Sequence, residues 1–125
     1  MCGITGIYRF KGKVDEKVLL KLSNAVRHRG PDHGSFKIFN NVGLAHRRLS
    51  IIDLSNHANQ PMSCCDNRYN IVYNGEVYNF LEIKKTLIKN GIKFNTNSDT
   101  EVILKSFVFY GYKAFSLFNG MFALG

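Results

Sequence analysis

Tryptophan is absent from the 125-residue sequence, which contains only two prolines and three cysteines. An odd cysteine count, with Cys64 and Cys65 adjacent, fits neither a disulfide framework nor the spacing of metal ligands. No apolar run reaches the about 18 residues that span a membrane, and no basic segment followed by an apolar core marks a signal peptide. We therefore expect a cytoplasmic protein with no membrane partner and no metal site in this chain.

Acidic residues are also few. The sequence has 17 lysines and arginines against 9 aspartates and glutamates, which gives a formal net charge of +8. A basic excess can mark a nucleic-acid-binding protein. The lysines are, however, spread over the faces of predicted helices, and no DNA- or RNA-recognition motif is present. We therefore expect a solvated basic surface and no nucleic-acid partner.

The apolar pattern predicts mainly strands early in the chain and two consecutive helices after them, which is typical of an α+β fold. The predicted strands cover residues 2–10, 35–39, 42–46, 50–52 and 70–73, and another begins at 120. The predicted helices have Asp15, Asn79 and Ser98 as N-caps and end near 27–31, 90–91 and 111, with a loop over 53–68. Because the last strand has no closing signal, we expect one domain over 1–125, truncated at its C-terminus.

Cys2 directly follows the initiator methionine, at the head of an apolar run. If Met1 is removed, Cys2 carries a thiol and a free α-amino group, whose pKa is about 7.7–8.0. A nucleophile with a base beside it is the minimal unit of covalent catalysis. By itself the position does not distinguish a nucleophile from an ordinary small apolar residue.

Asn74-Gly75 lies between two apolar stretches, which is a strong signal for a β-hairpin turn. The alternative is an oxyanion hole, in which the Asn74 amide and the Gly75 N–H donate to a developing negative oxygen. Glycine suits that role because no side chain blocks the approach. The residues alone leave both interpretations open.

Three charged positions also have two interpretations each. Asp99, in the first turn of a predicted helix, can stabilise the helix dipole or anchor a substrate ammonium. Arg47 and Arg48 can form a solvated pair, or one of them can bind a carboxylate bidentately beside the core. A nucleophile, an oxyanion hole, a carboxylate ligand and an ammonium ligand together describe hydrolysis of an amide on a free amino acid. Spacing alone does not establish this.

The chain resembles, over essentially its whole length, the class II glutamine amidotransferase domain at the N-terminus of asparagine synthetases. The stretches that carry the resemblance are Cys2-Gly3-Ile4, His28–Asp32, His46–Asp53, Asn59–Met62, Tyr73–Glu76 and Asn119–Ala123. The second and third are typical of the asparagine synthetase branch. The resemblance implies an N-terminal-nucleophile hydrolase fold, an αββα sandwich of antiparallel sheets flanked by helices, here incomplete at the C-terminus.

The resemblance also implies a role for each matching residue. Cys2 corresponds to the nucleophile, and Asn74 and Gly75 correspond to the oxyanion hole. Arg48 corresponds to the ligand of the glutamine α-carboxylate, and Glu76 and Asp99 correspond to partners of the α-ammonium. The backbone groups that shape the pocket correspond to Leu49, Ser50, Ile51 and Ile52.

The implied reaction is hydrolysis of glutamine to glutamate and ammonia through a cysteine thioester. Ammonia would then reach a C-terminal synthetase domain, absent from these 125 residues, where ATP and Mg²⁺ support conversion of aspartate to asparagine. No cofactor is expected in this chain. Two alternatives stay open: a relative that amidates a sugar or peptide, and a catalytically silent module that binds glutamine. A homodimer is also left open.

Overall fold

The computed structural model describes residues 2–50 and 55–125. Within these residues the fold is α+β, as predicted, with three α-helices and three antiparallel sheets. The strands are β1 (Gly3–Tyr8), β2 (His33–Phe39), β3 (Val42–Arg48), β4 (Met62–Cys64), β5 (Tyr69–Ile71), β6 (Tyr73–Val77) and β7 (Gly120–Leu124). The helices are α1 (Glu16–Ala25), α2 (Phe80–Lys89) and α3 (Asp99–Tyr110), with 3₁₀ segments at Arg27–Arg29, Asn56–Ala58 and Gly111–Leu117.

The first sheet has the strand order β1-β3-β2 and packs one face against α1. A Cβ at Gly43 would lie 2.9 Å from side-chain atoms of both Leu19 and Val14, so glycine allows the close approach of that helix. Side chains alternate across a strand, and Gly43 and Ala45 pack toward α1. Arg47 lies on the same face of β3 as Gly43 and Ala45. His46 and Arg48 lie on the opposite face.

The second layer contains the β4-β5 and β6-β7 pairs. A buried apolar cluster connects these strands to α2 and α3, with members that include Tyr73, Val77, Leu87 and Val102. Between the layers, His46 Nε2 lies 3.2 Å from the Tyr73 carbonyl oxygen. This contact joins β3 of the first sheet to the start of β6.

All three predicted residues occupy the N-cap position of their helices, and two of them also cap the helix through the side chain. The Asp15 side chain accepts from Lys17 N–H at 2.8 Å, and the Ser98 side chain accepts from Glu101 N–H at 3.3 Å. The Asn79 side chain makes no capping bond to α2. Its amide is instead bonded to the backbone of the segment that leads into β7, which is a tertiary contact that the local pattern could not reveal.

The predicted 53–68 loop contains a strand. Residues Met62–Cys64 form β4 and pair with β5 in an antiparallel register, Met62 opposite Ile71. The strand is too short for an alternating pattern to develop, so the polar composition of the region concealed it. The part of the predicted 50–52 strand at Ile51 and Ile52 lies outside the described residues.

Of the two interpretations of Asn74-Gly75, the hairpin turn is wrong. Both residues lie inside β6, where Asn74 pairs with Ala123 and Gly75 with Phe122 of β7. Pairing with a strand near the end of the chain therefore replaces the local turn. No helix among the described residues is long and apolar enough to cross a membrane.

Candidate active site

A cavity of about 360 Å³ lies between β3, β6 and the start of α3. Seven predicted site residues border it: Cys2, Arg48, Leu49, Asn74, Gly75, Glu76 and Asp99. The fold therefore brings together residues from the beginning, the middle and the later part of the chain.

One predicted pocket residue among those described, Ser50, does not border the cavity. The Ser50 N–H donates to Asp32 Oδ2 at 2.8 Å, which connects the end of β3 to the turn that follows the Arg27–Arg29 segment. Ile51 and Ile52 lie outside the described residues.

Cys2 is held at one wall of the cavity. Its Sγ accepts from Leu49 N–H at 3.3 Å and lies 3.6 Å from the Leu49 carbonyl oxygen. The Cys2 carbonyl accepts from Arg29 Nε at 3.0 Å. The thiol is half-buried, so it is positioned by neighbours and still borders open space.

One edge of β6 also borders the cavity. Val72 and Gly125 exchange two backbone hydrogen bonds of 2.9 Å each. Residues in an antiparallel ladder alternate between hydrogen-bonded and non-hydrogen-bonded pairs. The register therefore turns the N–H groups of Tyr73, Gly75 and Val77 away from β7.

Side chains bind the first and the last of these three N–H groups. Tyr73 N–H donates to Gln60 Oε1 at 2.6 Å, and Val77 N–H donates to Asp99 Oδ2 at 3.3 Å. Gly75 lies between them and borders the cavity. Its N–H is therefore directed to the same edge as theirs.

Glycine at position 75 leaves access to its N–H unblocked, and the structure shows a second reason for glycine there. A Cβ there would lie 2.3 Å from the Met121 carbonyl oxygen and 2.5 Å from Phe122 Cα. The φ of Gly75 is 151°, which side chains rarely permit. Close approach of β7 thus requires glycine at this point.

Arg48 is not part of a solvated pair. It is 7% exposed, and its Nη1 donates to the Ser55 carbonyl at 2.8 Å and to Asn59 Oδ1 at 2.6 Å. Arg47 instead contacts α1, where its Nε donates to Ser23 Oγ at 3.1 Å. The two adjacent arginines therefore serve different sides of β3, and Arg48 is the one that borders the cavity.

Asp99 is buried, although its sequence position is typical of an exposed helix start. It is 5% exposed, and its Oδ2 accepts from the Tyr73 hydroxyl at 2.7 Å. Burial raises the pKa of Asp99, while the hydrogen bonds from Tyr73 and Val77 oppose that rise. Glu76 is solvent-exposed at the border of the same cavity.

Residues 1–125 match the glutamine amidotransferase domain family. The chain belongs to that family. It is 42% identical to asparagine synthetase (glutamine-hydrolysing) 1 of Bacillus subtilis, covering 98% of this chain and 20% of that protein. It is 40% identical to a putative asparagine synthetase (glutamine-hydrolysing) 2 of Methanocaldococcus jannaschii, covering 98% of this chain and 27% of that protein. The resemblance found from the motifs is confirmed, and the chain spans about a fifth to a quarter of these relatives.

Two residues that border the cavity of this amidotransferase domain had no predicted role in the reaction. His46 is 1% exposed, and burial lowers its pKa to about 4. It is therefore neutral at pH 7, and its Nε2 must carry the proton because the Tyr73 carbonyl can only accept. Gln60 is 6% exposed and contacts both Tyr73 and Thr100. Neither contact has a local sequence signal.

The buried Asp99 predicts an unusual pH dependence of stability. Because its folded pKa is raised above the ordinary 3.8, the folded state binds more protons than the unfolded state between the two values. Its contribution to stability is therefore present below about 3.8 and is lost as pH rises through the folded pKa. Asp99→Asn keeps an acceptor for Tyr73, and we expect it to be at least as stable as the wild type at pH 7, with a difference that shrinks on acidification. Urea denaturation across this pH range measures it.

Glu101 provides a matched control of opposite sign on the same helix. Burial favours a raised pKa for Glu101, but its bonds to Lys105, Asn95 and Thr96 outweigh burial and lower that pKa. Glu101→Gln should therefore be less stable than the wild type at pH 7, with a difference that disappears as pH falls through the folded pKa. A lower stability of Asp99→Asn at pH 7 would contradict this account of Asp99.

Proposed function

We propose that this domain hydrolyses glutamine to glutamate and ammonia, with Cys2 as the nucleophile. The observation that carries the proposal is one cavity bordered by the Cys2 thiol, the Gly75 edge of β6, the Arg48 guanidinium and the Asp99 carboxylate. These groups match the parts of glutamine that must be bound and attacked. The names of the relatives, all glutamine-hydrolysing, support the choice of substrate.

The nucleophile acts after removal of Met1. The α-amino group of Cys2 takes the proton of the thiol, and the thiolate attacks the side-chain amide carbon of glutamine. The amine then transfers the proton to the leaving nitrogen, so that ammonia departs and a glutamyl thioester remains. Water, deprotonated by the same amine, attacks the thioester and releases glutamate and the free thiol.

Negative charge develops on the amide oxygen during both steps. The Gly75 N–H and the Asn74 side-chain amide are proposed to donate to it. Donors held in place before the reaction stabilise such an oxygen because they need no reorganisation, and one donor contributes about 10²–10³ in kcat. The ladder geometry of β6 supports Gly75 in this role, since its N–H is directed away from β7.

The domain is proposed to recognise the two charged groups on the α-carbon of glutamine. Arg48 is proposed to bind the α-carboxylate, and its contacts with Ser55 and Asn59 hold the guanidinium in place beforehand. Asp99, together with Glu76 at the rim, is proposed to bind the α-ammonium. Leu49, which borders the cavity, is proposed to shape the pocket, and the same role for Ser50, Ile51 and Ile52 stays a prediction.

We further propose that the domain supplies ammonia to a C-terminal synthetase domain of a longer protein. That domain would use ATP and Mg²⁺ to convert aspartate to asparagine, with residues 1–125 as the glutaminase domain. The support is that the named asparagine synthetases are four to five times as long as the matched region, which is 20–27% of their length. The same relatives favour aspartate over a sugar or peptide acceptor.

The layer order supports the αββα arrangement of N-terminal-nucleophile hydrolases, which we propose for this domain. Helix α1 packs on one face of the first sheet. The contact between His46 and Tyr73 lies between that sheet and β6. Beyond β6, the buried cluster that includes Val77 and Val102 joins the strand to α3.

Replacement of the nucleophile tests the proposed reaction. Cys2→Ala should lower the rate of ammonia release from glutamine by at least about 10³-fold, because covalent catalysis is lost. Glutamine affinity, measured by titration calorimetry, should stay within about threefold, since Arg48 and Asp99 remain. Cys64→Ala removes a thiol outside the cavity and serves as the control with unchanged turnover. Normal ammonia release by Cys2→Ala would reject the mechanism.

The adjacent arginines allow a matched test of substrate binding. Arg48→Ala should weaken glutamine binding by about 2–5 kcal/mol, because the α-carboxylate loses its charged partner. Arg47→Ala removes the same charge from the neighbouring residue but from the side of β3 that contacts α1, so its affinity should be near that of the wild type. Equal losses in the two variants would show that Arg48 has no specific role.

A further inference from the structure

Tyr73 is bound at all three of its polar groups by buried side chains from different parts of the fold. Its N–H donates to Gln60 Oε1 at 2.6 Å, and its carbonyl accepts from His46 Nε2 at 3.2 Å. Its hydroxyl donates to Asp99 Oδ2 at 2.7 Å. The backbone contacts use the edge of β6 that faces away from β7, which is also the edge of the Gly75 N–H.

The Gln60 contact connects this strand to α3. The Gln60 Nε2 donates to Thr100 Oγ1 at 3.1 Å while its Oε1 accepts from Tyr73. Thr100 follows Asp99 in the first turn of α3. One buried amide therefore sets the spacing between the strand with Gly75 and the helix with Asp99.

The His46 contact connects the same strand to the sheet with the nucleophile. His46 pairs with Ile4 in the β1–β3 register, and Ile4 is two residues after Cys2. The imidazole is neutral and donates from Nε2, so the bond persists at physiological pH. The distance between Cys2 and β6 is thus set by a donor fixed in the first sheet.

We propose that Gln60 and His46 are positioning residues of the glutaminase site, which hold Tyr73 so that Gly75 and Asp99 keep their places relative to Cys2. This inference rests on the proposed function. Neither residue is assigned contact with the reacting atoms. Their effect on rate comes through geometry, because a misplacement of about 1 Å between reacting groups can cost about 10²-fold.

Gln60→Met is the first test, with Ser106→Ala as the matched control. Methionine keeps an unbranched side chain of similar length but can bind neither Tyr73 nor Thr100. Ser106 is fully buried, its hydroxyl donates to the Val102 carbonyl in α3, and it does not border the cavity. Both variants lose buried hydrogen bonds, so a purely structural role of Gln60 would give similar results in the two.

The expected result is a loss of kcat/KM for glutamine of about 10–100-fold in Gln60→Met and less than about twofold in Ser106→Ala. In amide NMR spectra of the purified chain, Gly75 and Val77 should shift in Gln60→Met and stay in place in Ser106→Ala. The rate of Cys2 alkylation by iodoacetamide, which needs no oxyanion hole, should be unchanged in both variants.

His46 allows a rescue experiment that does not depend on Gln60. Glutamine at position 46 can place an amide nitrogen near the position of the imidazole Nε2, whereas methionine cannot donate. We expect His46→Met to lower kcat by about 10–100-fold, with KM changed less than about fivefold, because this contact bears on Gly75 more than on Asp99. His46→Gln should recover most of that loss.

The outcomes separate this inference from the proposed function. If the wild type releases ammonia from glutamine while Gln60→Met or His46→Met retains full turnover, the positioning roles are overturned and the proposed function stands. Equal losses in His46→Gln and His46→Met would also overturn the His46 role. If the wild type binds glutamine but releases no ammonia, the proposed function itself fails, whereas the Gly75 and Val77 NMR shifts still report whether the two residues hold this strand.

Discussion

The pairing of β6 with β7 along a single edge is the constraint on which the cavity depends. It determines that Tyr73, Gly75 and Val77 direct their N–H groups away from β7. A slip of one residue would exchange paired and open N–H groups and turn every side chain to the opposite face. Such a slip would bring a residue with a side chain to the position of Gly75. That side chain would collide with the backbone of Met121, so the slip is disfavoured. The direction of the Gly75 N–H, the proposed oxyanion donor, therefore depends on the register of β6 and β7.

Two ionisable side chains that border this cavity are buried. Arg48 and Asp99 are 7% and 5% exposed, and burial of a charge is compensated only by good partners. For Asp99, hydrogen bonds from Tyr73 and Val77 compensate the burial only partly, as its raised pKa indicates. The α-ammonium group of an amino acid would give Asp99 a further partner. A buried carboxyl group with a raised pKa, such as Asp99, is typical of functional sites.

The sequence was most informative where structure is local and least informative where distant strands meet. The cap at Ser98 was predictable because it depends on a few neighbouring residues. The hairpin interpretation of Asn74-Gly75 was wrong because β7, much later in the chain, supplies the partner strand. Motif resemblance identified seven of the residues that border the cavity. The contacts of Gln60 and His46 could not be predicted, because they depend on which edge of β6 stays open.

The central claim is that Cys2 forms a glutamyl thioester, and mass analysis of acid-quenched protein during glutamine turnover tests it most directly. The account predicts a chain that lacks Met1 and carries one glutamyl group, localised to Cys2 by peptide mapping. Hydroxylamine, which cleaves thioesters, should remove the group. Ammonia release at full rate by a chain that retains Met1, or a glutamyl group on a residue other than Cys2, would contradict the account.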